Sequence, residues 1–97
     1  MKRYLIKVTY LDGMHTGESC LMQKGGYVTD EGKWQTIDTT YCSYNMAMRQ
    51  CRRLAKENDL DWKLETRDRA KRLEMGMEVK DWRIYNHEAY EPYEVEI

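Results

Sequence analysis

The side chains most able to do chemistry are three cysteines and two histidines: Cys20, Cys42, Cys51, His15 and His87. As zinc ligands they are badly spaced. Structural zinc sites are built on cysteine pairs separated by about two to four residues, and the two nearest cysteines here, Cys42 and Cys51, lie nine positions apart. No metal is expected. A nucleophilic site is equally poorly supported, because there is no Gly-x-Ser-x-Gly turn and no local Cys/His signature. The many carboxylates include none set among apolar neighbours that would raise its pKa toward general-acid work. Lys24-Gly25-Gly26-Tyr27 has two glycines but lacks the strand–loop–helix setting of a phosphate loop, so it reads as a turn. The chain is therefore expected to be non-enzymatic and to need no cofactor.

Two surfaces suited to binding stand out instead. Arg49, Arg52, Arg53 and Lys56 fall on one side of a predicted helix, with Tyr41 and Tyr44 nearby. Such a face can lie on phosphates while aromatics stack on bases. Against that use, the net charge is −1, and a nucleic-acid domain normally carries a clear basic excess. The second surface is the C-terminal stretch, where Tyr85, Tyr90 and Tyr93 follow Trp82 and alternate with Glu88, Glu91, Glu94 and Glu96. Tyrosine is a common interface residue, and acids beside it suit a basic protein partner. Tyr85, Tyr90, Tyr93, Glu91 and Glu94 are taken as the leading partner-binding set, and Arg49, Arg52, Arg53 and Lys56 as the nucleic-acid alternative. A homodimer with a structural role is the third reading.

The elements that must position these residues follow from periodicity. Tyr44, Ala47, Met48, Cys51, Leu54, Ala55 and Asn58 recur at steps of three or four, which is one face of a helix over 43–58. Ser43 is its expected N-cap and Asn58 its expected stop. A second helix is predicted over 59–75 from Trp62, Thr66, Ala70, Leu73 and Met77, ending near Gly76, the alternative being an extended start at Trp62-Lys63-Leu64. Residues 2–11 alternate as a strand, with Tyr4, Ile6, Val8 and Tyr10 on one side and Arg3, Leu5, Lys7 and Thr9 on the other. Asp12-Gly13 signals a hairpin. Strands are then expected at 18–23, with Cys20 and Met22 on the core side, at 27–29, and at 33–37 carrying Trp34. A strand is predicted at 79–86, a connection over 87–92, and an edge strand over 93–97.

The whole is expected to be one α+β domain over 1–97, an antiparallel meander packed on a main helix. The core has no Phe but draws on eight Tyr, three Trp and seven Met, so its aromatics should sit at the edges with their polar tips out. The charge is unevenly spread: residues 42–83 carry an excess of three basic groups, and 84–97 hold four Glu and no cation. An odd number of cysteines suggests reduced thiols and a cytoplasmic setting. No stretch is apolar enough to serve as a secretion signal or to cross a bilayer, so no membrane partner is expected. The MKxYxIxVTYxDG opening and the GGYVTDE hairpin before a basic helix resemble small accessory proteins of bacteriophages and prophages. That resemblance implies a cytoplasmic protein that binds, and in some cases inhibits, a host macromolecule.

Overall fold

A computed structural model describes residues 1–13, 15–30, 35–77 and 87–97. Four strands are present: β1 (Lys2–Asp12), β2 (Ser19–Met22), β3 (Val28–Thr29) and β4 (His87–Glu96). They form one antiparallel sheet in the order β3-β2-β1-β4. One long helix, α1 (Tyr44–Glu74), lies on one face, and a 3-10 turn (Ile37–Thr39) precedes it. This is the α+β architecture anticipated from the alternation of β1 and the helical period at mid-chain.

The central strand organises the sheet. Ile6 and Val8 on β1 face α1 and are buried with Tyr41, Ala47 and Cys51; Cys20 and Met22 pack against them from β2. Ala47 is fully covered and Cys51 nearly so. These small side chains let the helix axis come close to the sheet, while Met48 and Leu54 fill its margins. Leu5, expected on the open side of β1, is also fully buried. The far face is therefore not simply solvated: Arg3, cross-strand from Val95, is buried there and reaches the 3-10 turn. Beyond the end of β2, Tyr41 takes over its lane. It exchanges two backbone hydrogen bonds with Tyr4, of 3.0 and 2.8 Å, and so delivers the chain to Ser43.

Ser43 caps α1 as expected, its hydroxyl accepting the Met46 amide at 3.2 Å. The expected stop at Asn58 does not occur, and the two predicted helices are one of 31 residues. The reason lies in the phase of the two stripes. Asn58 and Trp62 are four positions apart, so the second stripe continues the first on the same side, with no Gly or Pro between them. Asn58 is used differently: its side-chain carbonyl accepts the Glu88 amide at 2.8 Å and ties the start of β4 to the middle of the helix. His87 completes this junction, sharing a 2.8 Å hydrogen bond with Asp59 and stacking on Trp62 at a centroid distance of 5.5 Å.

Two other expectations are corrected. The connection foreseen over 87–92 is strand, and β4 runs straight through Pro92, opposite Ile6. Proline is tolerated there because β4 is the edge of the sheet, where one row of backbone groups goes unpaired in any case. Of the strand foreseen over 33–37, the described residues 35–37 are not strand, and Ile37 opens the 3-10 turn. Lys33 and Trp34, and the strand foreseen over 79–86, lie outside the described residues.

Candidate functional site

The C-terminal set is not gathered on one surface. Strand period two puts Tyr90 and Glu94 on the helix side of β4, and Tyr93 and Glu91 on the other. Tyr85 lies outside the described residues. Tyr90 is half-buried against the core cluster, and its hydroxyl donates to the Glu88 carboxylate. Burial first, and that hydrogen bond second, push its phenol pKa well above the usual range. The acids of β4 are met by cations of β1. Glu96 sits 2.6 Å from the N-terminal ammonium, Glu94 3.4 Å from Lys2, and Glu91 4.0 Å from Lys7. Each such exposed pair contributes little to stability. Together they cancel most of the negative field that the four glutamates would otherwise present to a basic partner.

The basic helix face is larger than its four predicted residues. Because α1 is continuous, successive side chains advance about 100° per residue without a break. Arg49, Arg53, Lys56, Leu60, Lys63, Leu64, Arg67 and Lys71 then fall within a sector of about 100° over roughly 33 Å of helix. All of them are exposed, and the sector points away from the Ala47/Cys51 stripe that packs on the sheet. Arg52 lies at its margin, also exposed. The carboxylates Glu57, Asp59, Asp61, Glu65 and Asp68 all project outside this sector; Glu74, in the last turn, falls within it. Arg53 is held by Gln50 at 3.0 Å and by Glu57 at 3.2 Å. Arg49, Arg52, Lys56, Lys63, Arg67 and Lys71 make no ion pair among the described residues. Between the cations sit Leu60 and Leu64, 59% and 41% exposed. Reading a helix end at Asn58 hid Lys63, Arg67 and Lys71; the four-residue step from Asn58 to Trp62 was the signal that would have found them.

The cysteines and histidines are scattered over this frame. Cys51 lies under the helix, Cys42 is exposed beside the N-cap, and His87 is at the helix–β4 junction. Cys20 lines an open hollow of about 500 Å³ with Tyr10, His15, Glu18 and Ser19. There the Tyr10 hydroxyl and the Cys20 sulfur are 3.3 Å apart, and His15 Nδ1 meets Glu18 at 2.8 Å. The Cys20 contact, then burial, push the Tyr10 phenol up to about 12. No group of three or more His, Cys, Asp or Glu side chains among the described residues is placed to hold a metal. Gly25 and Gly26, both at positive φ, make the turn between β2 and β3. No helix among the described residues is long and apolar enough to cross a membrane.

Burial pushes the Cys51 thiol up to about 11, which yields a prediction. At pH 8 the native protein should react quickly with two equivalents of a disulfide reagent such as DTNB, through Cys42 and Cys20, each releasing one thionitrobenzoate, and the third thiol should react only on unfolding. A thiol whose folded pKa is raised stabilises the fold fully below its unfolded pKa, and that contribution is lost as pH rises. Unfolding should therefore become easier between about pH 9 and 11, and Cys51→Ala should flatten that limb. Rapid titration of all three thiols in the native state would contradict this burial.

Comparison with known proteins adds no functional assignment: no family model, no curated protein and no solved structure matches this chain.

Proposed function

We propose that this protein acts by binding another protein, and that the outward face of α1 is its contact surface. The observation that carries this reading is the row of exposed leucines and cations from Arg49 to Lys71, of which Arg53 alone makes an ion pair among the described residues. A solvated helix face gains nothing from Leu60 and Leu64, whereas a helix laid in a groove uses such i, i+4 anchors. The sheet supports the first half of the row from behind through Ala47, Cys51 and the Asn58–Glu88 tie. The resemblance to phage accessory proteins adds the expectation that occupancy inhibits the partner.

Nucleic acid is the competing reading, since the same row could meet phosphates. Between Arg49 and Lys71, however, the sector holds no aromatic to stack on a base and no amide or hydroxyl to read a base edge. A photo-cross-linker placed at Leu64, in nuclease-treated lysate of the native cell, tests the choice. The expected result is a discrete protein adduct that excess wild-type protein competes away and that a cross-linker at Glu94 does not give. An adduct of twice the chain's own mass would instead establish a homodimer, and loss of every adduct on nuclease treatment would overturn the protein reading in favour of nucleic acid.

A further inference from the structure

We infer that the partner presents an acidic groove floored by apolar side chains, sized for one helix. This rests on the outward face of α1 being a protein-docking face, and names the chemistry that face selects. The argument is charge complementarity combined with spacing. Lys56, Lys63, Arg67 and Lys71 surround Leu60 and Leu64 on the exposed side of α1, and none of these four cations has an ion-pair partner among the described residues. Leaving these cations unpaired while the carboxylates from Glu57 to Asp68 point elsewhere preserves a directed positive potential on that part of the face. Opposite charges rimming an interface speed encounter and fix register, while apolar anchors at the centre supply most of the affinity. Leu60 and Leu64 are one turn apart, so their side chains enter one continuous trough.

The alternatives fit the same face less well. A lipid surface wants a broad apolar face opposite the charges, and here the opposite face packs on the sheet at Ala47 and Cys51 and carries Glu65 and Arg69 further along the helix. In a second copy of this chain the β4 acids Glu91, Glu94 and Glu96 already meet Lys7, Lys2 and the N-terminus, and the α1 acids from Glu57 to Asp68 lie outside the sector that carries Leu60 and Leu64.

The test uses the full chain and two synthetic helical peptides of equal length and charge, one of Glu and Leu, the other of Glu and Ala. A short DNA duplex and phosphatidylserine vesicles are the comparison probes. Wild-type protein should bind the Glu/Leu peptide about tenfold or more tightly than the Glu/Ala peptide. Leu60→Ser with Leu64→Ser should erase that preference and leave weak, salt-sensitive binding to both. Lys56→Gln, Lys63→Gln and Arg67→Gln together should weaken both peptides and flatten the salt dependence. All five positions are exposed, so unchanged circular dichroism is expected and checks folding. Equal affinity for the two peptides, no binding to either, or tighter binding to duplex or vesicles would overturn the inference. Cross-linking of a protein through position 64 together with no peptide preference would remove the acidic groove alone and leave the protein-binding reading standing.

Discussion

Replacing Ile6 with alanine should lower the free energy of unfolding by about 3 kcal/mol, within the range of about 2–5 for such truncations in a core. Ile6 is fully buried on the central strand, opposite Met22 on one side and Pro92 on the other. It packs in the cluster that also holds Val8, Tyr41, Ala47 and Cys51. Ladders on both flanks hold the β1 backbone, so the cavity cannot close by a shift of the strand, and the residual void adds to the lost transfer energy. A chain of this size has roughly 5–15 kcal/mol of total stability, so the loss is a large fraction of the whole. In urea the midpoint should fall by about 1–3 M with little change in slope. Ile6→Val should cost about 1 kcal/mol. Leu60→Ala, on the exposed face, should stay within about 0.5 kcal/mol of wild type. A cost below about 1 kcal/mol for Ile6→Ala would mean that α1 does not pack on this face of β1.

The face-defining residues of that core were readable before the structure, because each lies in an element with an undisturbed period. The alternation of Tyr4, Ile6, Val8 and Tyr10 gave the helix side of β1, and the three-and-four spacing of Ala47 and Cys51 gave the sheet side of α1. Cys20 and Met22 fell on the core side of β2 for the same reason. What was not readable were features that depend on the neighbours. Asn58 has a side chain suited both to a left-handed stop and to a hydrogen bond, and only the nearness of Glu88 decides for the second. Pro92 argues against a strand unless that strand is an edge, and nothing within 87–97 states its place in the sheet order. Leu5 and Arg3 belong to the polar side of β1 by alternation, yet both are buried, Arg3 because the segment carrying Thr40 folds back onto it. The candidate site suffered the same way. Splitting the helix at Asn58 divided one row of cations and leucines into two short, unremarkable patches. The acidic tail drew interest because its neutralising cations are at the opposite end of the chain, some ninety residues away: the N-terminal ammonium and Glu96 are separated by 95 positions.

Removing Arg3 should cost about 2–4 kcal/mol, although it is a charged residue in a strand that reads as half polar. Its Nε donates to the Thr40 hydroxyl at 2.9 Å, and one terminal nitrogen donates to the carbonyls of Ile37 and Thr40 at 2.8 and 3.1 Å. Arg3 is 9% exposed and Thr40 is fully buried. Arg3→Ala strips donors from the two backbone carbonyls and opens a gap where the aliphatic stem lay. Arg3→Met keeps the stem and no longer has a guanidinium to desolvate, so it should cost less than alanine while still leaving the carbonyls unmet. Arg3→Lys keeps the charge but cannot reach a hydroxyl and two carbonyls with one planar fork, and should fall between wild type and alanine. The damage should also be local in a way that hydrogen exchange can read. Arg3 pins the segment whose next residue, Tyr41, exchanges backbone hydrogen bonds with Tyr4, so the Tyr4 and Tyr41 amides should lose protection in Arg3→Ala before those of β2. If Met proves as costly as Ala, the hydrogen bonds and not the stem hold the turn; if both are neutral, the segment that leads into the Ser43 cap is held by its backbone alone.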